Sequence, residues 1–227
     1  MWCKRLEKET FSSREVVDFS KNFIVTKVNA DKDTTLARGF RVAGYPTTIV
    51  LRPSGDEADR VVGYAKPHEF VSKVNDYLAG KGTLSAMLAE EPSRASDYKF
   101  LDEVGEKLRD HGMFAEANQR FEIIVNGDKT NQSGIADDAL FAMGRIALKQ
   151  KRFADAVSNF SMLGEMFPES EISGDASFFV GYTYGKSGDK DKAVEKYREF
   201  LARFPKHEER DWVKKEIKKI EKEKAKK

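Results

Sequence analysis

Cysteine is nearly absent. The 227 residues hold one, Cys3, which excludes an internal disulfide framework and any zinc site built from several thiolates. Histidine is almost as scarce: His68, His111 and His207 stand far apart, none at ligand spacing, so no His-built metal site is expected and all three read as surface or capping residues. An excess of one charge is missing too. Forty Lys+Arg against 38 Asp+Glu leave +2, and nothing in that balance points to a nucleic-acid or membrane-surface partner. No apolar run approaches the ~20 residues of a membrane span. No Ser-His-Asp set, Gly-rich phosphate loop or paired-carboxylate motif stands out, and neither metal nor cofactor is expected. What is present, 40% hydrophobic and 34% charged residues with only 6 Pro, is the composition of a helix-leaning globular chain of one large or two small domains.

Two regimes follow along the chain. From residue 4 to about 80, short helical patterns alternate with β-branched runs, the mark of an α/β unit. Ser12-Ser13-Arg14-Glu15 opens a helix by the capping-box pattern. Phe23-Ile24-Val25-Thr26-Lys27-Val28 reads as a buried strand, and a short helix is expected from Thr34 to Phe40. Thr47 to Leu51 is a second strand, Pro53-Ser54-Gly55-Asp56 a turn, and Arg60 to Tyr64 the strand returning antiparallel. A closing helix from Pro67 to Leu78 turns Phe70, Val74 and Leu78 inward, and Gly80-Lys81-Gly82 breaks it. Residues 81–96 read as a linker with weak local patterning.

Val42-Ala43-Gly44-Tyr45-Pro46-Thr47 places an X-Pro bond at the mouth of a strand, where a cis proline can sit. Together with Trp2-Cys3 at a helix start and the strand ends at Val28-Asn29-Ala30-Asp31 and Gly63-Tyr64, it resembles the thioredoxin fold over residues 2 to about 79. The run from Trp2 to Phe11 is similar to the branch whose active site reads Trp-Cys-x-x-Cys-Lys-x-Leu-Glu. In that register Lys4, Leu6 and Glu7 follow Cys3 as they follow the family's second cysteine, so the resemblance implies that Cys3 is the resolving thiol. Pro46 would then shape the substrate groove, and Trp2 would flank the site.

The same resemblance implies that the chain begins inside its domain. A family member has a strand, a helix and a strand before the active-site helix, and the absent strand would lie between those expected at 23–28 and 47–52. Dithiol exchange needs one thiolate to attack and another to resolve, so one thiol does not complete the cycle. Plainer readings stay open: Cys3 as a small apolar residue, Pro46 as an ordinary strand-edge turn, Trp2 as core packing.

From residue 97 the β pattern stops and a repeat takes over. Aligning Gly105, Gly144 and Gly181 also aligns Ala117, Ala156 and Ala193, then Phe121, Phe160 and Tyr197, and finally Pro168 and Pro205. This register resembles the tetratricopeptide repeat, TPR, with spacings of 39 and 37 residues that put extra residues in the loops. Gly and Ala let two helices approach closely while the aromatic fills the space against the next unit. Three units are expected, at about 98–131, 137–170 and 174–207, and residues 208–227 form a capping helix and charged tail, with Val213, Ile217 and Ile220 on one face beside Trp212.

The expected architecture is therefore an α/β thioredoxin-like domain over 1–80, incomplete at its N-terminus, a linker over 81–96 and an all-α TPR domain. In TPR stacks the inner groove is lined by the first helix of each unit. Mapped here, those positions are Arg109, then Phe141, Arg145 and Lys149, then Phe178, Tyr182 and Lys186. Aromatic and cationic residues suit a protein or peptide partner with an acidic or carboxylate anchor and apolar side chains, although solvated helix faces would look the same. The function implied is that of a thiol-disulfide oxidoreductase-like protein whose repeats recruit a partner, inactive as a dithiol enzyme with its single thiol; the alternative is a non-catalytic TPR adaptor. The Phe-Pro unit endings resemble TPR units of bacterial envelope proteins, and a periplasmic or otherwise extracytoplasmic location stays open if the true start lies upstream.

Overall fold

Local capping chemistry sets several helix starts in the computed structural model, which describes residues 2–225. Ser13 accepts from Val16 N at 3.3 Å, Asp33 from Leu36 N at 2.9 Å, Thr83 from Ala86 N at 3.2 Å and Asp97 from Phe100 N at 3.1 Å. Each satisfies one of the amide donors that a helix start leaves without a partner. The chain divides into two compact units, Met1–Ala117 and Asn118–Lys227.

The first unit opens with α1 (Trp2–Arg5), which runs into a π-helical turn, Leu6–Phe11. Then come α2 (Arg14–Ser20), α3 (Thr34–Gly39), β1 (Thr47–Leu51), β2 (Glu57–Val62) and α4 (Pro67–Leu78). Next are α5 (Leu84–Glu90), a short 3-10 turn and α6 (Tyr98–Asp110). β1 and β2 form an antiparallel pair in which Thr47 faces Val62 and Val50 faces Asp59. Val16, Val50, Val61, Ala65, Phe70, Val74 and Tyr77 close the core between the pair, α2 and α4. The π-helical turn is tied to it by Thr10, whose buried hydroxyl donates to Ala65 O at 2.6 Å.

Four expectations need correction here. Phe23–Val28 is not a strand: it has no ladder partner among the described residues, and Ile24 to Val28 lie exposed. β-propensity describes fit to a sheet surface, and no neighbouring strand supplies one. β2 starts at Glu57, three residues early, because the charges of Asp59 and Arg60 are paired inside the protein. Tyr77 rather than Leu78 turns fully inward on α4, since the helical period of 3.6 drifts off strict four-residue steps. The segment 81–96 holds α5, started by Thr83.

The second unit holds most of α7 (Phe114–Gly127), then α8 (Ala136–Lys149), α9 (Phe153–Met166), α10 (Ser173–Ser187), α11 (Lys190–Arg203) and α12 (Arg210–Lys224). α8 packs on α9 and α10 on α11. At Gly144 a Cβ would stand 2.5 Å from the Phe160 ring, and at Gly181 one would stand 2.6 Å from the Tyr197 ring. The aligned glycines and aromatics are thus one contact, made twice. The Phe160 ring stacks on Phe179 at 5.2 Å, joining one helix pair to the next. The loop that lengthens the repeat is itself organised, with the Asp128 carboxylate accepting from Gln132 N and Ser133 N at 2.8 Å each. Val213, Ile217 and Ile220 of α12 bury against Tyr197 and Phe200. The last two residues of the expected charged tail, and Met1, lie outside the described residues.

Candidate functional sites

Near the chain start the thiol of Cys3 is exposed, and Trp2, next to it in the chain, belongs to an aromatic and charged cluster. The Arg5 guanidinium sits 4.5 Å over the Tyr64 ring and 5.6 Å from that of Trp2. Its Nε pairs with Glu9 at 3.0 Å, and the Tyr64 hydroxyl donates to the same carboxylate at 2.8 Å. The Tyr64 and Arg5 bonds hold the Glu9 carboxyl below its ordinary range. The Tyr45–Pro46 peptide bond is cis, with Tyr45 exposed and Pro46 O accepting from Gly63 N at 2.8 Å. An exposed lone thiol is chemically one half of a disulfide exchange: it can attack a disulfide sulfur, and a second thiol must resolve the product.

The second unit contains a cavity of about 590 Å³. Arg145, Leu148 and Lys149 come from α8, Phe178, Phe179 and Tyr182 from α10, and Glu209 and Trp212 from the start of α12. Trp212 meets Phe178 edge-on at 5.6 Å and lies 6.2 Å from Tyr182, so three aromatic side chains form one wall. Arg145 and Lys149 are exposed at the other side, and Arg145 makes no ion pair among the described residues. Such a lining offers apolar contact and a charge-assisted hydrogen bond within one cleft.

Two protein-family models match the chain. One, described as a thioredoxin-like domain, matches residues 2–78; the other, described as an outer membrane lipoprotein, matches residues 134–214. The chain joins a thioredoxin-like domain to TPR-like helical repeats. One solved structure that matches, titled "Crystal structure of MamA", is 18% identical, with a TM-score of 0.48 over 68% of this chain and 96% of that one. No curated protein matches.

Within the thioredoxin-like domain, Trp2, Cys3 and Pro46 sit as just described, with Trp2 about half exposed rather than packed in a core. Of the groove positions read from the repeats, Arg145, Lys149, Phe178 and Tyr182 share the cavity. The Lys186 ammonium lies 5.0 Å over the Tyr182 ring, and Phe141 packs between Phe160 and Phe179 at 5.5 and 5.4 Å. Arg109 belongs to the first unit, where Asp110 and Glu106 engage its guanidinium. Glu209 and Trp212 were not foreseen in the groove, because the mapping took only the first helix of each unit.

Sequence reasoning also missed a buried ionic node. Asp59 on β2 is fully buried, accepts from His111 Nε2 at 3.0 Å, Leu84 N at 2.7 Å and Arg60 N at 2.6 Å, and forms an ion pair with Lys107 Nζ at 3.2 Å. Burial alone would raise the Asp59 carboxyl, but the His111 bond, the two amide bonds and the Lys107 charge together hold it below its ordinary value. Arg60 beside it is 5% exposed and grips Glu57 through two bonds of 2.6 Å. His111 caps the C-terminus of α6, as one expected role had it, yet its ring is partly buried in this node; His68 is exposed beside Glu15.

Proposed function

We propose that the TPR-like repeats recruit a protein or peptide and that the thioredoxin-like domain on the same chain engages a disulfide of that partner through Cys3. The cavity supports this reading most directly, because four aromatic side chains and two cations converge there from three different helices. The preferred occupant is an extended peptide with an apolar side chain for the aromatic wall and a carboxylate for Arg145 and Lys149. The repeat units are proposed at about 98–131, 137–170 and 174–207.

Cys3 stands at the family's resolving position, but as the one thiol of this sequence it takes the attacking role here: its thiolate would attack one sulfur of the partner's disulfide, forming a mixed disulfide and releasing the other sulfur as thiolate. Resolution then needs a thiol from outside the chain. The single thiol equally favours a second reading, that of a non-catalytic adaptor whose groove is its whole function. Acidic, aromatic-containing peptides titrated against the intrinsic fluorescence of Trp212 test the groove. Binding should weaken at least tenfold in the double variant Arg145→Glu/Lys149→Glu and stay unchanged in Cys3→Ser; equal binding by the double variant rejects the groove. A disulfide-bearing version of the bound peptide separates the readings: a mixed disulfide absent from Cys3→Ser marks exchange, and binding without one marks the adaptor.

A further inference from the structure

The cavity of the second unit is lined by charges of both signs that do not meet. Arg145 reaches it from α8 and Glu209 from the start of α12, yet no ion pair joins them, and neither has another ion-pair partner among the described residues. Glu209 is half-buried; its amide donates to His207 Nδ1 at 3.2 Å, but its carboxylate accepts no hydrogen bond among the described residues. Nor is that carboxylate used at the helix start, since it makes no capping bond to the first turn of α12. Arg210, the base next to it, turns instead to Asp211 at 3.2 Å and to Pro205 O at 3.5 Å. The charge is felt in the interior: burial raises the Tyr197 phenol, and the charges of Glu216 and Glu209 add to the effect.

Trp212 follows at the i, i+3 spacing that sets two side chains side by side on a helix. The indole lines the cavity, is 40% exposed, and has no cation over it among the described residues. Its neighbour Tyr182 shows what this wall accepts, because the Lys186 ammonium lies 5.0 Å over that ring. Among aromatic faces an indole attracts a cation most strongly, and a carboxylate half withdrawn from water is costly without a counter-charge.

We propose that Glu209 and Trp212 form a seat for a basic side chain of the bound peptide, lysine or arginine, whose charge pairs with the carboxylate while its stem and cationic head pack on the indole. This inference rests on the cavity being the peptide groove, and adds to the anion-binding end at Arg145 a second anchor of opposite sign. The groove then reads polarity. A peptide that offers its acid to Arg145 and its base to Glu209 satisfies both, whereas one that offers them in reverse meets like charge at each. The preferred partner carries an acid and a base on either side of an apolar residue, and is not simply acidic.

Peptides labelled for fluorescence anisotropy, and N-acetylated so that no terminal amine competes, test the seat on the whole chain. Each carries an aromatic residue and an aspartate. A lysine is walked through the positions beyond the aromatic, always beside an analogue with norleucine, which keeps the stem and lacks the charge. The expected result is one register in which lysine binds about fivefold tighter than norleucine. Glu209→Gln, which removes a charge that bonds to no described residue, should abolish that gain and leave the norleucine peptides unchanged. Glu209→Lys should invert it, so that glutamate in the same register binds best, while Arg145→Glu weakens lysine and norleucine peptides alike. If peptides bind but no register gains from lysine, or if Glu209→Gln keeps the gain, the seat is overturned and the groove stands. If no peptide binds the unaltered chain, the groove fails and the seat with it.

Discussion

Replacing Asp59 by alanine should be the most damaging single change in the first unit. The substitution removes one carboxylate, leaves three donors without their acceptor, His111 Nε2 and the amides of Leu84 and Arg60, and strips the Lys107 ammonium of its counter-charge. Lys107 retains one bond, to the Tyr77 hydroxyl at 3.0 Å, which limits its loss. Removing one partner of a buried, hydrogen-bonded ion pair costs about 3–5 kcal/mol. At about 2–4 °C per kcal/mol for a chain of this size, the melting temperature should fall by about 6–20 °C. Acid supplies a second, independent signature. The folded-state pKa of Asp59 is depressed, so its contribution is complete above the unfolded carboxyl value of about 3.9 and is lost as pH falls through the lower folded value. Calorimetric melts of wild type and Asp59→Ala should therefore differ fully at pH 7 and converge below pH 3.9. A difference under about 1 kcal/mol at pH 7, or one that does not shrink in acid, refutes the argument that the node is a paired buried charge.

Gly181→Ala should destabilise the second unit by about 1–3 kcal/mol in urea melts, because its Cβ would stand 2.6 Å from the Tyr197 ring. Gly185→Ala on the same helix is the matching control: its nearest neighbour is 3.9 Å away, so the gain in helix propensity, up to about 1 kcal/mol, should show as neutral or stabilising. Thr10→Val keeps the shape but strips the hydroxyl from Ala65 O, and a loss of about 1–3 kcal/mol is expected in the same assay. Burial raises the Tyr197 phenol well above its ordinary value, so ultraviolet titration should show at least one tyrosine that stays protonated until the unit unfolds in alkali.

The repeat was legible because its contacts are local. Gly144 meets Phe160 and Gly181 meets Tyr197 at the same short offset, so the packing repeats as a sequence column. Capping was legible for the same reason, since Ser13 and Thr83 act within three residues of themselves. Asp59 was not, because its partners His111 and Lys107 lie some fifty residues on, and no period in the chain links a strand acid to a helix end. Phe23–Val28 misled for the opposite reason: its composition is that of a strand, but a strand exists only through its neighbours. In the cavity, Phe178 and Tyr182 could be read from repeat positions, whereas Trp212 and Glu209 come from a helix outside the repeat.

The Asp59 node also bears on where the thioredoxin-like part ends. Similarity stops at residue 78, but a polypeptide cut there would keep the acid and discard Leu84, Lys107 and His111, which neutralise it. The heritable module and the foldable piece are thus different lengths. Anyone transplanting this domain onto another protein has to carry α5 and α6 along as far as His111, and the repeats that follow are joined to a host that has already borrowed their neighbouring helix for its own interior.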